Sequence, residues 1–329
     1  MIVVCTLGLL GNALSVQIFL SRRFRYLSIN ILLAALSTAD LSLMILAFPI
    51  YVLSAIARIS GSVHALEVEV RPITLVYLYP VSKICHITSI WLLILVTIER
   101  WFAVKQPLKV KLYFTRKRAL VLIVVTFICS VLFNFVRFWE FAIRPPPVDV
   151  DLHLKKDPTF MLLYVNGATI LTTYILPVGV NSVLSWQVRR HIAQAWHSRR
   201  QLSNLESRVY ATAKIMGAVV IVFVLTHSMC FILNMLELIK QDLFLTPEGL
   251  LLSDVNNLLV VFNSASTWVF YIKYSTRYRQ RALELICCRH PEPVSRTQTP
   301  LTQSAKTGSV FQANGIEIST LTAGNSAHQ

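Results

Sequence analysis

Charge is scarce in this chain. Only 14% of its 329 residues are Asp, Glu, Lys or Arg, whereas 55% are hydrophobic. Soluble proteins carry about 25% charged residues, so a chain of this length would lack the polar side chains to cover a water-facing surface. The same apolar excess excludes disorder over most of the length. Ten glycines and thirteen prolines exclude a fibrous or low-complexity protein. The six cysteines, Cys5, Cys85, Cys129, Cys230, Cys287 and Cys288, have no CxxC spacing, so zinc and redox motifs are unsupported. No Asn-x-Ser/Thr sequon occurs. HExxH and GxSxG are absent, the histidines are scattered, and no nucleophile pairs with a base at helical spacing, so no catalytic constellation or cofactor is implied. A pump or channel would need a file of acidic residues through its core, and Asp40 is nearly alone there.

What is present is a series of seven apolar runs: 1–20, 29–57, 81–104, 118–138, 160–187, 211–237 and 249–272. A membrane span needs roughly 20 such residues, and backbone facing lipid must satisfy its own hydrogen bonds, so each run is expected to be a helix. The first begins at Met1, and Arg22, Arg23 and Arg25 follow rather than precede it. A secretory signal has the opposite order, so this is read as a retained span, or as a first helix shortened at its start. No inverted repeat of the transporter kind is visible.

The basic residues set an expected orientation. With the N-terminus outside, the inner segments hold 23 of the 31 Lys and Arg. The outer segments hold 8 basic residues against 10 acids, including Glu140, Glu237 and Asp254. The positive-inside rule then places the N-terminus outside and the C-terminus in the cytosol of a multi-pass plasma-membrane protein. The net charge of +15 is a topology and lipid-headgroup signal, and nucleic acid is not an expected partner.

Residues 1–288 are expected to form one seven-helix membrane domain. Within it, Lys273–Ile286 alternates basic and apolar residues at helical spacing and reads as an amphipathic helix on the inner leaflet. Cys287 and Cys288 follow at once; juxtamembrane cysteines are palmitoylation sites or plain thiols. The tail 289–329, rich in Ser, Thr, Gln and Pro, reads as disordered and cytoplasmic. Its hydroxyls from Ser295 to Ser309 are either phosphorylation sites or part of a solvated linker.

Polar residues inside apolar runs mark function, because a mid-span charge costs roughly 2.5–3.5 kcal/mol on insertion scales. Asp40 and Asn12 both lie mid-span. Asp40 either faces a polar pocket alone or forms a shared node with Asn12, Ser89, Asn263 and Thr267, which lie at compatible depths. Glu99-Arg100-Trp101 closes the third run. Glu99 is either a partner that holds Arg100 inward, releasing it on protonation, or half of a snorkelling interfacial pair.

These residues together resemble the rhodopsin-like G-protein-coupled receptors. The likeness lies in Gly11-Asn12, Leu36-x-x-x-Asp40, Glu99-Arg100-Trp101, Pro107-Leu108, Pro177, Phe223 and Tyr271, and covers residues 1–288. It implies an all-α seven-helix bundle that binds an outer ligand and engages a heterotrimeric G protein through Glu99, Arg100, Trp101, Pro107, Leu108 and Tyr271. It also implies arrestin and receptor kinases as partners of the tail. At Asp40 it suggests a weak sodium site, since Thr267 offers fewer acceptors than the usual Asn. A narrower likeness is to invertebrate FMRFamide-type neuropeptide receptors. It rests on Leu78-Tyr79-Pro80, Ser89-Ile90-Trp91, Asn134-Phe135-Val136-Arg137-Phe138-Trp139-Glu140 and Asn234-Met235-Leu236-Glu237.

The departures fall on the outer clamp and the activation motifs. Leu75 stands where the family has a third-span cysteine, and residues 140–160 hold no partner cysteine. Thr226-His227-Ser228-Met229 replaces Cys-Trp-x-Pro, and Thr267-Trp268-Val269-Phe270-Tyr271 replaces Asn-Pro-x-x-Tyr. Ser185 stands where the fifth span often has Tyr. Ser82 replaces the aspartate of amine receptors and Val261 the lysine of opsins, which leaves a peptide as the expected ligand. An Arg-Phe-amide terminus needs an acid and aromatic walls. Glu140 and Glu237 are the candidate acids, unless they pair with Arg137 and Lys240. Tyr79, His86, Phe138, Trp139 and His227 are the candidate walls. A small-solute transporter and a non-signalling decoy or scaffold are the competing functions.

Overall fold

The computed structural model describes residues 1–53, 72–144, 149–151, 154, 157–198, 204–240 and 246–287. The tail expected to be disordered, and Cys288, lie outside the described residues. Seven long helices follow one another: α1 (Ile2–Leu20), α2 (Ser28–Ala47), α3 (Tyr79–Lys105), α4 (Arg116–Asn134), α5 (Leu176–Ser198), α6 (Asn204–Ile239) and α7 (Pro247–Tyr274). An eighth, α8 (Thr276–Ile286), closes the bundle. A short helix, Pro107–Tyr113, links α3 to α4. Strands β1 (Ala142–Arg144) and β2 (Asp149–Asp151) pair antiparallel after α4, with Ile143 opposite Val150.

Among the described residues, six helical segments are long and apolar enough to cross a membrane. The seventh, α7, has 28 residues but falls short in apolarity, because Asp254, Asn256, Asn257 and Asn263 lie within it. Wide π-helical turns extend three helices: Phe48–Leu53 after α2, Thr74–Leu78 before α3, and Phe160–Ala168 with Leu171–Ile175 before α5. Such turns interrupt the regular ladder and are frequent at functional sites.

Helix boundaries follow local chemistry. Proline occupies the first turn of α7, where its missing N–H costs nothing, and Pro80 stands where the wide turn Thr74–Leu78 passes into α3. The hydroxyl of Thr246 accepts the Gly249 N–H at 3.2 Å and caps α7. Ser275 leaves helical geometry at φ −109° and ψ 102°, and its hydroxyl accepts the Tyr278 N–H. This corrects the expected amphipathic boundary: Lys273 and Tyr274 finish α7, and the amphipathic helix begins at Thr276.

The core lies between α1, α2, α3, α6 and α7. Phe19, Leu32, Leu36, Leu93, Val96, Phe223 and Tyr271 form its buried cluster. Tyr278 joins the same cluster and anchors α8. Its hydroxyl lies 2.7 Å from the Ser15 hydroxyl, and its ring is 5.5 Å from that of Tyr271. Burial pushes the Tyr278 phenol up to about 12, so it is neutral and free to share that hydrogen bond. By contrast α4 turns Leu120, Val121, Val124, Phe127 and Leu132 outward. Lipid tails are as apolar as leucine, so this face needs no protein partner.

Small residues allow α1 and α7 to approach closely. A Cβ on Gly8 would stand 2.8 Å from both Ala265 Cβ and Met44 Sδ, and one on Gly11 would run into the Trp268 ring. Gly11→Ala must therefore displace that indole, and overpacking of this kind costs about 1–3 kcal/mol. The solubilised variant should unfold at a lower temperature than wild type in a thermal melt.

Candidate functional site

Polar groups gather at three depths of the bundle. In the middle, Asp40 on α2 is 1% exposed, and the Ser89 hydroxyl on α3 donates to its Oδ1 at 2.6 Å. The buried Ser264 hydroxyl on α7 interacts with the same carboxylate without completing a hydrogen bond. Asn12 donates to the backbone carbonyls of Gly8 and Ser264, at 3.0 and 3.1 Å, and so ties α1 to α7. The structure thus joins Asp40 to Ser89, and Asn12 to the same stretch of α7. It does not bring in the expected Asn263 and Thr267 side chains. Thr267 is buried, but its hydroxyl turns back on the Asn263 carbonyl of its own helix at 3.5 Å. Ser264, one residue from the expected Asn263, faces the node instead.

At the end that carries Arg22–Arg25, Arg100 and Glu99 are both buried and paired through Nε and Nη2. This is the inward-held arrangement rather than a snorkelling one. Trp101 donates from Nε1 to Gln187 Oε1 on α5 at 2.6 Å, and Lys105 Nζ lies 4.7 Å above its ring. Sequence reasoning missed Gln187, whose only signal is its place on the inner part of α5. Pro107 opens the short linking helix, and the Leu108 side chain lies outside the described residues. Tyr271 is buried against Phe19, 5.1 Å between ring centroids.

The opposite end holds a cavity of about 430 Å³ among α2, α3, α5, α6, α7 and the end of α4. This is within the range of roughly 300–1,000 Å³ usual for small-molecule sites. Tyr79, His86 and His227, three of the expected wall residues, line it together with the candidate acid Glu140. Phe138 and Trp139 do not. They belong to the 3₁₀ turn Phe135–Trp139, in which residues three apart align. Arg137 and Glu140 share the inward side, while Trp139 is exposed and both rings pack on Phe135, at 6.3 and 5.0 Å.

Arg137 organises that wall. Its guanidinium donates to Asn134 Oδ1 (3.2 Å), Glu140 Oε2 (3.0 Å) and Thr169 Oγ1 (3.1 Å), and lies 5.1 Å from the Tyr164 ring. Glu140 is fully buried and already paired, as the plainer of its two readings held. Removing one partner of a buried pair costs about 3–5 kcal/mol, because the other charge is stranded. The Glu237 side chain lies outside the described residues, but Asn234, one turn earlier on α6, lines the cavity.

The floor of the cavity is made of two imidazoles. The rings of His86 on α3 and His227 on α6 stack at 5.6 Å with an interplanar angle of 23°. His227 also rests on Phe223, 4.0 Å between centroids. Both Nε2 atoms are buried and without a hydrogen-bond partner among the described residues. On one side wall, Tyr174 stacks on Phe231 at 4.5 Å. Sequence reasoning missed Tyr174 and named Asn234 only as part of the motif closing α6; they reach the cavity through the wide turns before α5 and the register of α6. Cys287 is exposed at the end of α8. No group of three metal-ligating His, Cys, Asp or Glu side chains occurs among the described residues.

This architecture has known relatives. Over 336 residues the chain is 30% identical to the FMRFamide peptide receptor frpr-18 of Caenorhabditis elegans, covering 97% of this chain and 77% of that protein. It is 29% identical over 287 residues to the FMRFamide receptor of Drosophila melanogaster, covering 84% of this chain and 51% of that protein. Residues 11–271 match the family described as 7 transmembrane receptor (rhodopsin family), a family of membrane receptors rather than of enzymes. A buried Glu99–Arg100 pair at one end, Asp40 in the middle and a walled cavity at the other sit on a chain that belongs to the rhodopsin family of seven-transmembrane receptors.

Proposed function

We propose that this chain is a plasma-membrane receptor for an extracellular amidated peptide of FMRFamide type, signalling through a heterotrimeric G protein. Its N-terminus is outside and its C-terminus in the cytosol, in keeping with the excess of Lys and Arg on the loops that flank Arg100. The observation that carries the reading is the cavity, which takes residues from α3, α6 and α7 and from the turns that extend α2, α4 and α5, at the end of the bundle remote from Arg100. Both relatives are FMRFamide receptors by name, which supports this ligand class. A cavity of 430 Å³ holds the end of a peptide rather than all of it.

A peptide that binds one helix arrangement more tightly shifts the population toward it. In the active arrangement Arg100 leaves Glu99 and, with Trp101, Pro107, Leu108 and the basic loops, meets the G protein. Tyr271 and the Asp40–Ser89 contact repack with it. A sodium ion, where one binds, is held by Asp40 with the Ser89 and Ser264 hydroxyls and compensates the carboxylate. The tail recruits receptor kinases and arrestin, and Cys287 and Cys288 carry acyl chains that hold α8 to the inner leaflet.

Arg100→Ala should abolish peptide-stimulated nucleotide exchange while leaving surface expression and peptide binding intact. Undiminished exchange in that variant would reject the coupling role, and wild-type binding without any exchange would identify a decoy.

The peptide's arginine meets Glu237 rather than Glu140, which Arg137 already holds. Losing a desolvated charge pair on truncation costs roughly 2–5 kcal/mol. Glu237→Gln should therefore weaken an arginine-bearing peptide more than about tenfold and barely affect its citrulline analogue. Glu140→Gln should instead lower surface expression, since it strands Arg137. Equal loss for both peptides in Glu237→Gln would reject the assignment.

A further inference from the structure

The two histidines at the cavity floor remain unexplained by the helix bundle itself. His227 has a defined tautomer. Its Nδ1 lies 3.1 Å from the Phe223 carbonyl oxygen, which only accepts, so Nδ1 carries the proton. The Thr226 hydroxyl adds no competing donor, because it donates to the carbonyls of Val222 and Phe223 at 2.9 and 3.1 Å. His227 Nε2 therefore presents a bare lone pair. His86 Nε2 lies across the stack and is equally without a partner among the described residues. Both residues are more than nine-tenths buried, and both line the cavity. A buried acceptor with no donor carries a desolvation penalty that an incoming group relieves.

The occupant must supply an N–H or O–H to His227 Nε2. A carboxylate supplies acceptors alone, so its oxygens would face a lone pair. A primary carboxamide supplies N–H donors and a carbonyl acceptor from one planar group. It donates to His227 Nε2 while its carbonyl takes the proton of His86 in the Nε2–H tautomer. The Tyr174–Phe231 stack on the wall adds apolar surface beside the floor.

We infer that His227 and His86 form a subsite for a primary carboxamide, by which the receptor distinguishes an amidated peptide end from a free carboxylic acid. This deepens the reading above and rests on it. A carboxamide reaches such a site from a C-terminal amide or from an Asn or Gln side chain. The tetrapeptide FMRFamide contains neither side chain, so its amide and acid forms isolate the C-terminal source.

The test is binding, independent of any G protein. An N-terminally fluorescent FMRFamide is bound to the full chain in lipid nanodiscs at neutral pH, and unlabelled amide and free-acid forms compete for it. Wild type should prefer the amide at least about tenfold. His227→Phe keeps a flat ring on Phe223 and His86 but removes the acceptor. It should reduce the preference to less than about threefold by weakening the amide, with the free acid bound no more weakly than by wild type. His86→Phe, a second variant from the other helix, should reduce the preference in the same way. A preference retained in both variants overturns the subsite while leaving the peptide-receptor reading standing. A preference absent from wild type, with the labelled peptide bound, overturns it likewise. No binding of the labelled peptide to wild type overturns both.

Discussion

A bundle surrounded by lipid has no water with which to satisfy a stray charge, so every buried ionic group must find its partner among its own helices. Three buried carboxylates obey this constraint at three depths. Glu140 takes Arg137, Asp40 takes Ser89, and Glu99 takes Arg100. Each pairing involves α3 or a helix packed on it, so the long third helix acts as the post to which polar layers are tied. The layers also differ in what they can do. Arg137 is held by four neighbours and fixes a wall. Arg100 is paired with one carboxylate, that of Glu99, near a helix end, where an exchange of partners is cheaper.

The missing cysteine pair fits this account. Leu75 and the cysteine-free segment 140–160 leave no disulfide clamp between these two positions at the cavity end. Arg137 instead joins the end of α4 to the wide-turned segment before α5 through Thr169, while Tyr164 donates to the Phe133 carbonyl at 2.7 Å. A hydrogen-bonded wall of this kind is local. A disulfide differs in acting mainly by restricting the unfolded chain.

Helix positions were legible in the sequence because twenty-residue apolar runs have one physical solution in lipid. The pairing of Glu99 with Arg100 was legible too, since neighbours in sequence need no register to meet. The failures concern rotation. Asn263 and Ser264 differ by about 100° around α7, and only the packing of α7 on α1, set by Gly11 against Trp268, decides which one faces Asp40. Phe138 and Trp139 fail for a related reason: a tightened 3₁₀ turn reverses which side of the segment faces inward. Tyr174 depends on wide turns that no apolar pattern announces. Residue type and depth can be read from sequence, but azimuth follows from contacts between helices far apart in the chain.

Any message from the cavity to Arg100 has to cross the length of α3. His86 and Arg100 lie ~21 Å apart along that axis at about 1.5 Å per residue, too far for direct contact. A straight helix transmits little by bending, so the moving part is better sought where α6 meets it. His227 touches the occupant's space on one side and Phe223 on the other, and Phe223 belongs to the same buried cluster as Leu93, Val96 and Tyr271. Displacing His227 therefore forces a choice between two packings of that cluster, because a close-packed core has discrete arrangements rather than a continuum. The absence of proline from Thr226-His227-Ser228-Met229 keeps α6 unbroken there, so displacement at the floor is carried as rotation or translation of the whole helix. Under the proposed carboxamide subsite, the floor histidine, rather than a hinge, is where binding energy would enter the core.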